Sequence, residues 1–235
     1  MQAVILAGGL GTRLGELTRD TPKVMLPFNG KPFLYYVISL LEKQGIKDIV
    51  LCIGYLGEQV KDFFGDGKKL GVNIKYSVES RQLLGTGGAL RQARPLLDEY
   101  FLVLNGDTYL PVDYPEVEKE YRRLGRKAMM VVYNNEANTG VKNNVALGGD
   151  QIVVNYDKKG TSPDLKYAEA GAVILQKEAL DFIPEGEKIS FEDGIYQRLI
   201  TRGEMAACIT SQRFYDIGTP EQRQVFEKLV QKGAG

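Results

Sequence analysis

The residues best suited to chemistry lie in a glycine-rich stretch near the N-terminus. The run Leu6–Lys23 opens on LAGGLGTR and ends on TPK. Glycines allow backbone N–H groups to approach a phosphate where side chains would obstruct them. An arginine adds a bidentate donor for phosphate oxygens, and a lysine adds a second positive charge. We expect phosphates to lie against Leu6, Ala7, Gly8, Gly9, Gly11, Thr12 and Arg13, with Lys23 beside them.

A glycine-rich turn after a strand has two other interpretations. It can be a plain turn that carries two solvated cations, or the loop of a dinucleotide-binding fold. The spacing here is G-G-x-G-T-R and not G-x-G-x-x-G. Lys23 also stands near the place, about 20 residues on, where such folds carry an acidic ribose partner. The sequence therefore disfavours a dehydrogenase.

Two aspartates end apolar segments far apart in the chain. Asp107 follows Asn105-Gly106, and Asp216 precedes Ile217-Gly218. Either one alone is an ordinary turn or cap residue. Two carboxylates at strand ends would also suit Mg²⁺, which takes one or two carboxylates together with phosphate oxygens and water. We expect Mg²⁺ to be the cofactor.

Composition excludes several classes of protein. The chain has no histidine, which removes Ser-His-Asp hydrolysis and His-ligated zinc. Basic and acidic residues number 30 each, so no net field attracts nucleic acid or an anionic membrane, and neither is expected as a partner. Cys52 and Cys208 stand singly in apolar segments that predict strands, without the paired spacing of metal ligands. Without a leader pattern or a membrane-spanning apolar run, a cytoplasmic protein is the default expectation.

The elements that must position these residues alternate in the first half of the chain. Strands are predicted at Gln2–Leu6, Asp48–Ile53, Asn73–Ser77 and Phe101–Asn105. Helices are predicted at Pro32–Gln44, Glu58–Phe64 and Gly87–Leu97, with Pro32 at a first helical position. This order predicts an α/β fold with a largely parallel sheet and helices on both faces.

After Ala128 the pattern is mostly that of strands. They are predicted at Ala128–Tyr133, Asn143–Leu147, Gln151–Tyr156 and Ala170–Leu175. The residues Gly148-Gly149-Asp150 predict a hairpin turn between the second and the third of these. Ser190 is the expected N-cap of a helix over Phe191–Arg202, and Thr219 opens a C-terminal helix to about Lys232.

With these motifs in view, the chain resembles the sugar-1-phosphate nucleotidyltransferase family. The likeness covers Leu6–Lys23 with Gly30-Lys31-Pro32 after it, and recurs at Leu84–Ala89, Asn105-Gly106-Asp107 and Tyr215–Pro220. It implies a Rossmann-like, mostly parallel sheet flanked by helices, with a smaller mixed-sheet lobe in one domain. The nucleotide-binding lobe would span about 1–110, the sugar-binding lobe mostly 111–215, and a terminal helix 219–232.

The resemblance also implies roles for residues outside the glycine-rich run. Asp107 and Asp216 would be the metal ligands. The nucleotide pocket would include Glu79, Gln82, Gly85, Thr86 and Gly87. The sugar phosphate would meet Asn105, Gly106, Lys158, Glu169 and Gly171, with Lys158 favoured over Lys159. Glu169 stands where many relatives carry asparagine, which puts a substrate carried over from a relative in doubt.

The implied reaction joins a nucleoside triphosphate (NTP) and a sugar 1-phosphate, its two partners, by in-line attack on the α-phosphorus. Pyrophosphate leaves and an NDP-sugar forms. The nucleophile is already anionic near neutral pH, which suits a chain without histidine. Arg13, Lys23 and Asp107 would be the catalytic residues. Within the family, Leu84–Ala89 and the compact second lobe look most like those of bacterial heptose 1-phosphate guanylyltransferases, which use GTP.

Several alternatives stay open at this point. The sugar could be mannose, glucose or N-acetylmuramate 1-phosphate, and the nucleotide dTTP or UTP. A glycosyltransferase that consumes NDP-sugars would typically show an Asp-x-Asp motif, which Asp107-Thr108-Tyr109 does not offer. A non-catalytic sensor would not need Lys23 or Asp216. A homo-oligomer is also left open, because core and interface positions look alike in one sequence.

Overall fold

A computed structural model of the chain describes residues 1–80, 82–136 and 139–233. In chain order, its strands are β1 Gln2–Leu6, β2 Pro27–Phe28, β3 Lys31–Pro32, β4 Asp48–Ile53, β5 Asn73–Val78, β6 Tyr100–Asn105, β7 Thr108–Tyr109, β8 Ala128–Tyr133, β9 Val145–Leu147, β10 Val153–Tyr156, β11 Ala168–Gln176, β12 Met205–Thr210 and β13 Tyr215–Asp216. Its α-helices are α1 Phe33–Lys43, α2 Gly57–Phe64, α3 Gly85–Ala93, α4 Tyr114–Leu124, α5 Gln197–Thr201 and α6 Pro220–Gln231.

Seven strands form one sheet in the order β12-β8-β11-β6-β1-β4-β5. Every neighbouring pair is parallel except those of β11, which runs antiparallel to both β6 and β8. Helices cover both faces: α1, α2, α4 and α6 contribute to the core on one side, and α3 and α5 to the core on the other. The prediction of a mostly parallel sheet with helices on both faces is confirmed.

The central strand β1 fixes where the functional groups emerge. Leu6, its last residue, is paired with Cys52 of β4 on one side and with Asn105 of β6 on the other. The carboxyl ends of these parallel strands therefore meet at one edge of the sheet, which we call the carboxyl edge. The glycine-rich loop and Asp107 both leave from this edge, as open α/β sheets generally place their ligand groups.

The later strands divide into two groups. The strands β8, β11 and β12 extend the main sheet through the antiparallel β6–β11 pair. The strands β9 and β10 form a separate antiparallel hairpin around the turn predicted at Gly148-Gly149-Asp150. The lobe boundaries drawn from the sequence stay a prediction.

Three predicted helix starts shift by one or two residues: α1 begins at Phe33, α2 at Gly57 and α3 at Gly85. Pro32 is extended, with ψ 152°, and pairs with Pro27, so α1 begins one residue later than predicted. The helix predicted at Gly87–Leu97 begins at Gly85 and ends at Ala93. A 3₁₀ turn follows over Arg94–Leu96, because Pro95 has no N–H to continue the α-helical ladder.

Both predicted N-caps near the C-terminus are present. Asp193 N donates to Ser190 Oγ at 3.1 Å, and Gln222 N donates to Thr219 Oγ1 at 3.3 Å. The segment after Ser190 is not one regular helix, however. It makes a π-helical turn over Glu192–Tyr196 before α5.

The helix α4 was not predicted from the sequence. The helix α4 is capped by Asp113, whose Oδ1 accepts from Glu116 N at 3.0 Å, and it ends at Gly125 in a left-handed conformation. It buries Tyr114, Val117 and Tyr121 and packs against β8 and β12. Within the described part of the chain, no helix combines the length and apolarity needed to cross a membrane.

Candidate active site

The glycine-rich loop packs closely on itself and on neighbouring strand ends. A Cβ at Gly8 would lie 2.8 Å from Glu79 Oε2, and a Cβ at Gly11 would lie 2.9 Å from Thr18 Cγ2. Gly11 has a φ of +64°, which an L side chain rarely adopts. Gly9 differs, because a Cβ there would have no neighbour within 4 Å in the described structure. Gly8 and Gly11 thus serve the fold of the loop, while Gly9 has open space beside its backbone.

Lys23 and Asp107 form an ion pair under this loop. Lys23 is 9% exposed, and its Nζ lies 2.5 Å from Asp107 Oδ2. Asp107 reaches this position because Gly106 lies against the end of β1, where Gly106 N donates to Leu6 O at 2.9 Å. A Cβ at Gly106 would lie 2.5 Å from Leu6 O, so this approach requires glycine. The structure therefore brings together Lys23, Gly106 and Asp107.

Asp216 lies next to Asp107 because their strands pair. The strand β13 is antiparallel to β7, with Asp216 opposite Thr108, and Ile217 N donates to Asp107 O at 3.1 Å. Burial raises the pKa of the Asp216 carboxyl, and the negative charge of Asp107 adds to the rise. The positive charges of Lys23 and Arg13 oppose it. Two carboxylates that are far apart in sequence thus lie close enough for the charge of one to affect the pKa of the other.

Arg13 reaches the same place from the glycine-rich loop. Its Nη2 lies 3.4 Å from the point that a Cβ at Gly218 would occupy, and Asp216 Oδ1 lies 3.0 Å from that point. Two cations, Arg13 and Lys23, therefore face two carboxylates at the carboxyl edge. No group of three or more acidic or cysteine ligands occurs among the described residues. Mg²⁺ needs only one or two carboxylates when phosphates and water complete its shell, so Asp107 and Asp216 fit that ion.

The second glycine cluster is covered by another part of the chain. Gly87 N donates to Ile189 O at 3.0 Å, and Thr86 Oγ1 accepts from Phe191 N at 2.8 Å. A Cβ at Gly85 would lie 2.6 Å from Ile189 O, and one at Gly87 would lie 2.7 Å from Ser190 O. These glycines allow the segment before α5 to approach α3, a role that the sequence did not indicate. Their contact with a nucleotide stays a prediction.

Glu79 and Gln82 follow β5 at the carboxyl edge. Glu79 Oε1 accepts from Leu84 N at 2.6 Å, while its Oε2 lies over Gly8. Burial raises the pKa of the Glu79 carboxyl. Gln82 is exposed. The structure therefore places Glu79 against the glycine-rich loop and leaves Gln82 on the surface.

Two of the residues expected at the sugar phosphate, Glu169 and Gly171, lie in β11, on the side of β6 away from β1. Gly171, at φ +79°, packs against Thr108, the residue after Asp107. Glu169 Oε1 accepts from Gly171 N at 3.0 Å within a bulge of β11. Burial, and then the charge of Glu192, raises the pKa of Glu169 to about 7. Asn105, the last residue of β6, and Asp107 border this group.

Lys158 has an acidic partner that the sequence did not reveal. Its exposed ammonium lies 3.1 Å from Glu192 Oε1, in the π-helical turn. Lys159, its neighbour, is exposed as well. The negative charge of Glu192 also acts on Glu169 in the bulge of β11, where it helps to raise the pKa of that carboxyl. Glu192 therefore lies beside two of the predicted site residues, Lys158 and Glu169, although no motif pointed to it.

Comparison with known proteins agrees with this arrangement. The family model described as nucleotidyl transferase matches residues 2–230. The chain belongs to the nucleotidyl transferase family. It is 35% identical, over 94% of its length and 96% of the relative's, to D-glycero-alpha-D-manno-heptose 1-phosphate guanylyltransferase of Campylobacter jejuni. The enzyme of the same name from Aneurinibacillus thermoaerophilus is 32% identical over 98% of this chain and 99% of its own.

A solved structure gives the same picture at the level of the fold. HddC from Yersinia pseudotuberculosis, crystallised in complex with GMP-PN, superposes with a TM-score of 0.82 at 29% identity. The match covers 97% of this chain and 99% of that one. The Rossmann-like fold and the family membership expected from the sequence are thus confirmed, and the chain is an enzyme of the nucleotidyl transferase type.

Proposed function

We propose that this nucleotidyl transferase transfers GMP from GTP to a heptose 1-phosphate, releasing pyrophosphate and forming a GDP-heptose. The observation that carries the proposal is the meeting of Arg13, Lys23, Asp107 and Asp216 at the carboxyl edge, between the glycine-rich loop and β11. The choice of GTP and heptose is supported by the two guanylyltransferases that match over nearly their whole length.

The reaction needs charge neutralisation and alignment and no general base, because a sugar phosphate is already anionic near neutral pH. Arg13 and the open backbone at Gly9 would hold the triphosphate at the glycine-rich loop. Lys23 would neutralise charge that develops at the α-phosphate, from a position fixed by Asp107. Asp107 and Asp216 would hold Mg²⁺, which supplies further positive charge to the α-phosphate and the leaving pyrophosphate when bound.

The acceptor would approach from the β11 side. Lys158 would pair with the phosphate of the sugar, and Asn105 and Gly106 would line the path between the two substrates. Glu169 would accept hydrogen bonds from sugar hydroxyls, next to Gly171. The base would lie towards β5, near Glu79, Gln82 and Gly85–Gly87. In-line attack would require an oxygen of the sugar 1-phosphate to approach the α-phosphorus from the side opposite the leaving pyrophosphate.

The proposal is tested by pyrophosphate release from a panel of GTP, UTP and dTTP against heptose, mannose and glucose 1-phosphates. We expect GTP with the heptose to give the largest kcat/KM. Replacing Asp107 by Asn should lower kcat by about 100-fold or more, whereas replacing the exposed Asp150 by Asn should not. A chain that released a nucleoside diphosphate from an NDP-sugar would be a glycosyltransferase, and the proposal would be wrong.

A further inference from the structure

The Asp216 carboxylate is held at both of its oxygens by the start of α6. Gly218 N donates to Oδ1 at 2.9 Å. Gln222 Nε2 donates to Oδ2 at 2.7 Å from the first turn of the helix. A carboxylate with two fixed donors cannot rotate freely. The side chain of Gln222 therefore sets the direction in which Asp216 presents its remaining lone pairs.

The other end of the Gln222 amide has no protein partner. Gln222 Oε1 is buried, and no donor among the described residues reaches it. Turning the amide over would direct this oxygen at Asp216, acceptor against acceptor, so the orientation is determined by its neighbour. Buried acceptors without a donor are rare in native proteins and usually mark a place where water or an ion completes the network.

The position of that oxygen points to the site. Gln222 Oε1 lies 3.2 Å from the point that a Cβ at Gly218 would occupy. Asp216 Oδ1 and Arg13 Nη2 lie within 3.0 and 3.4 Å of the same point. The lone acceptor therefore sits among groups that belong to the carboxyl edge and does not face the core.

We propose that Gln222 is a positioning residue for the divalent cation: its amide N–H groups orient Asp216, and its free oxygen accepts a hydrogen bond from a water of the hydrated ion. The inference rests on the proposed function, which makes Asp216 a ligand. Mg²⁺ keeps several of its waters in proteins, so acceptors for those waters are needed close to the ligands. Partners that hold a ligand carboxylate commonly change metal affinity by about 10- to 100-fold.

The test measures Mn²⁺ binding to the whole chain from the electron paramagnetic resonance signal of free Mn²⁺, which needs no turnover. Gln222→Met keeps the length of the side chain and removes both hydrogen-bonding groups. Gln224→Met, at an exposed position of the same helix, is the matched control. We expect the Kd for Mn²⁺ to rise about 10-fold or more in Gln222→Met and to stay unchanged in the control.

A kinetic measurement separates positioning from a general defect. In Gln222→Met the Mg²⁺ concentration for half-maximal activity should rise, and saturating Mg²⁺ should restore kcat. A merely structural role would lower kcat at every Mg²⁺ concentration and would overturn the proposal. If Gln222→Met does not fold, Gln222→Asn withdraws the amide from Asp216 with a smaller change in volume and should also weaken Mn²⁺ binding.

Two further results have distinct meanings. A folded Gln222 variant that binds Mn²⁺ as tightly as the wild-type chain overturns the inference while leaving the proposed function intact. If Asp216→Asn also binds Mn²⁺ with wild-type affinity, the metal assignment itself is wrong, and the inference falls with it.

Discussion

The environment of Glu169, on the proposed acceptor side of the site, can be tested without any substrate through the ionisation of its carboxyl. Burial and the nearby charge of Glu192 raise the pKa of this carboxyl to about 7. The pKa of a glutamate in an unfolded chain is about 4.3. Between these two values the unfolded chain has lost its proton and the folded chain keeps it. The free energy of unfolding therefore falls as the pH rises through this interval.

The size of the effect follows from the interval. At about 1.4 kcal/mol for each pH unit, the full contribution would be about 3–4 kcal/mol. Glu169 is partly exposed, however. Solvent screening reduces the contribution, so we expect about 1–2 kcal/mol.

The assay compares wild-type chain and Glu169→Gln by urea denaturation at about pH 5 and about pH 8. Glutamine cannot ionise, so the variant avoids the cost of a buried charge. The difference between the free energies of unfolding of the variant and of wild type should become about 1–2 kcal/mol more positive from the lower to the higher pH, because only wild type loses stability there through Glu169. Glu227→Gln, at an exposed position on α6, should show the same difference from wild type at both pH values. A Glu169→Gln difference that stays constant, or that reverses, would refute the reasoning.

The remaining predictions concern single contacts. Lys158→Ala should raise KM for the sugar phosphate about tenfold while Lys159→Ala changes it little, since only Lys158 is paired with Glu192; equal effects in initial-rate assays would contradict this. Lys23→Met should lower kcat by about 100-fold or more with a folded chain by circular dichroism, because its ammonium is fixed at Asp107; near-normal kcat would remove it from the catalytic group. Gly87→Ala should cost about 1–3 kcal/mol in urea denaturation, because a Cβ would lie 2.7 Å from Ser190 O; an unchanged midpoint would show that the segment yields.

The positions of the groups on the proposed nucleotide side were predictable, because each of them follows a local rule. A strand that runs into glycines must turn at the carboxyl edge of a parallel sheet, and the same holds for Asp107 after β6. Parallel pairing of β1 with β4 and β6 then brings these loops together without further information. Asp216 needed one more step, the pairing of two-residue strands, which no periodicity in the sequence indicates.

The proposed acceptor side depends on irregular backbone, which sequence patterns encode poorly. The bulge of β11 turns Glu169 towards Gly171, and the π-helical turn brings Glu192 to Lys158. Both irregularities interrupt the periods of 2 and 3.6 residues on which pattern arguments rely, and both are frequent at functional sites. Lys158 and Glu169 were therefore predicted only through resemblance to the family, and Glu192 was not predicted.

The role of the second glycine cluster, Gly85–Gly88, could be predicted only in part from the sequence. Glycines admit any close approach, and a sequence cannot state whether a ligand or another chain segment makes it. At Gly85–Gly88 the neighbour is backbone from residues 187–190, so this segment is held on α3 immediately before Glu192 begins its π-helical turn. The glycines next to the predicted base pocket thus also fix the position of the carboxylate that pairs with Lys158. A substitution there would disturb both ends of the site through one packing contact, even though the two substrates would bind on opposite sides of β6.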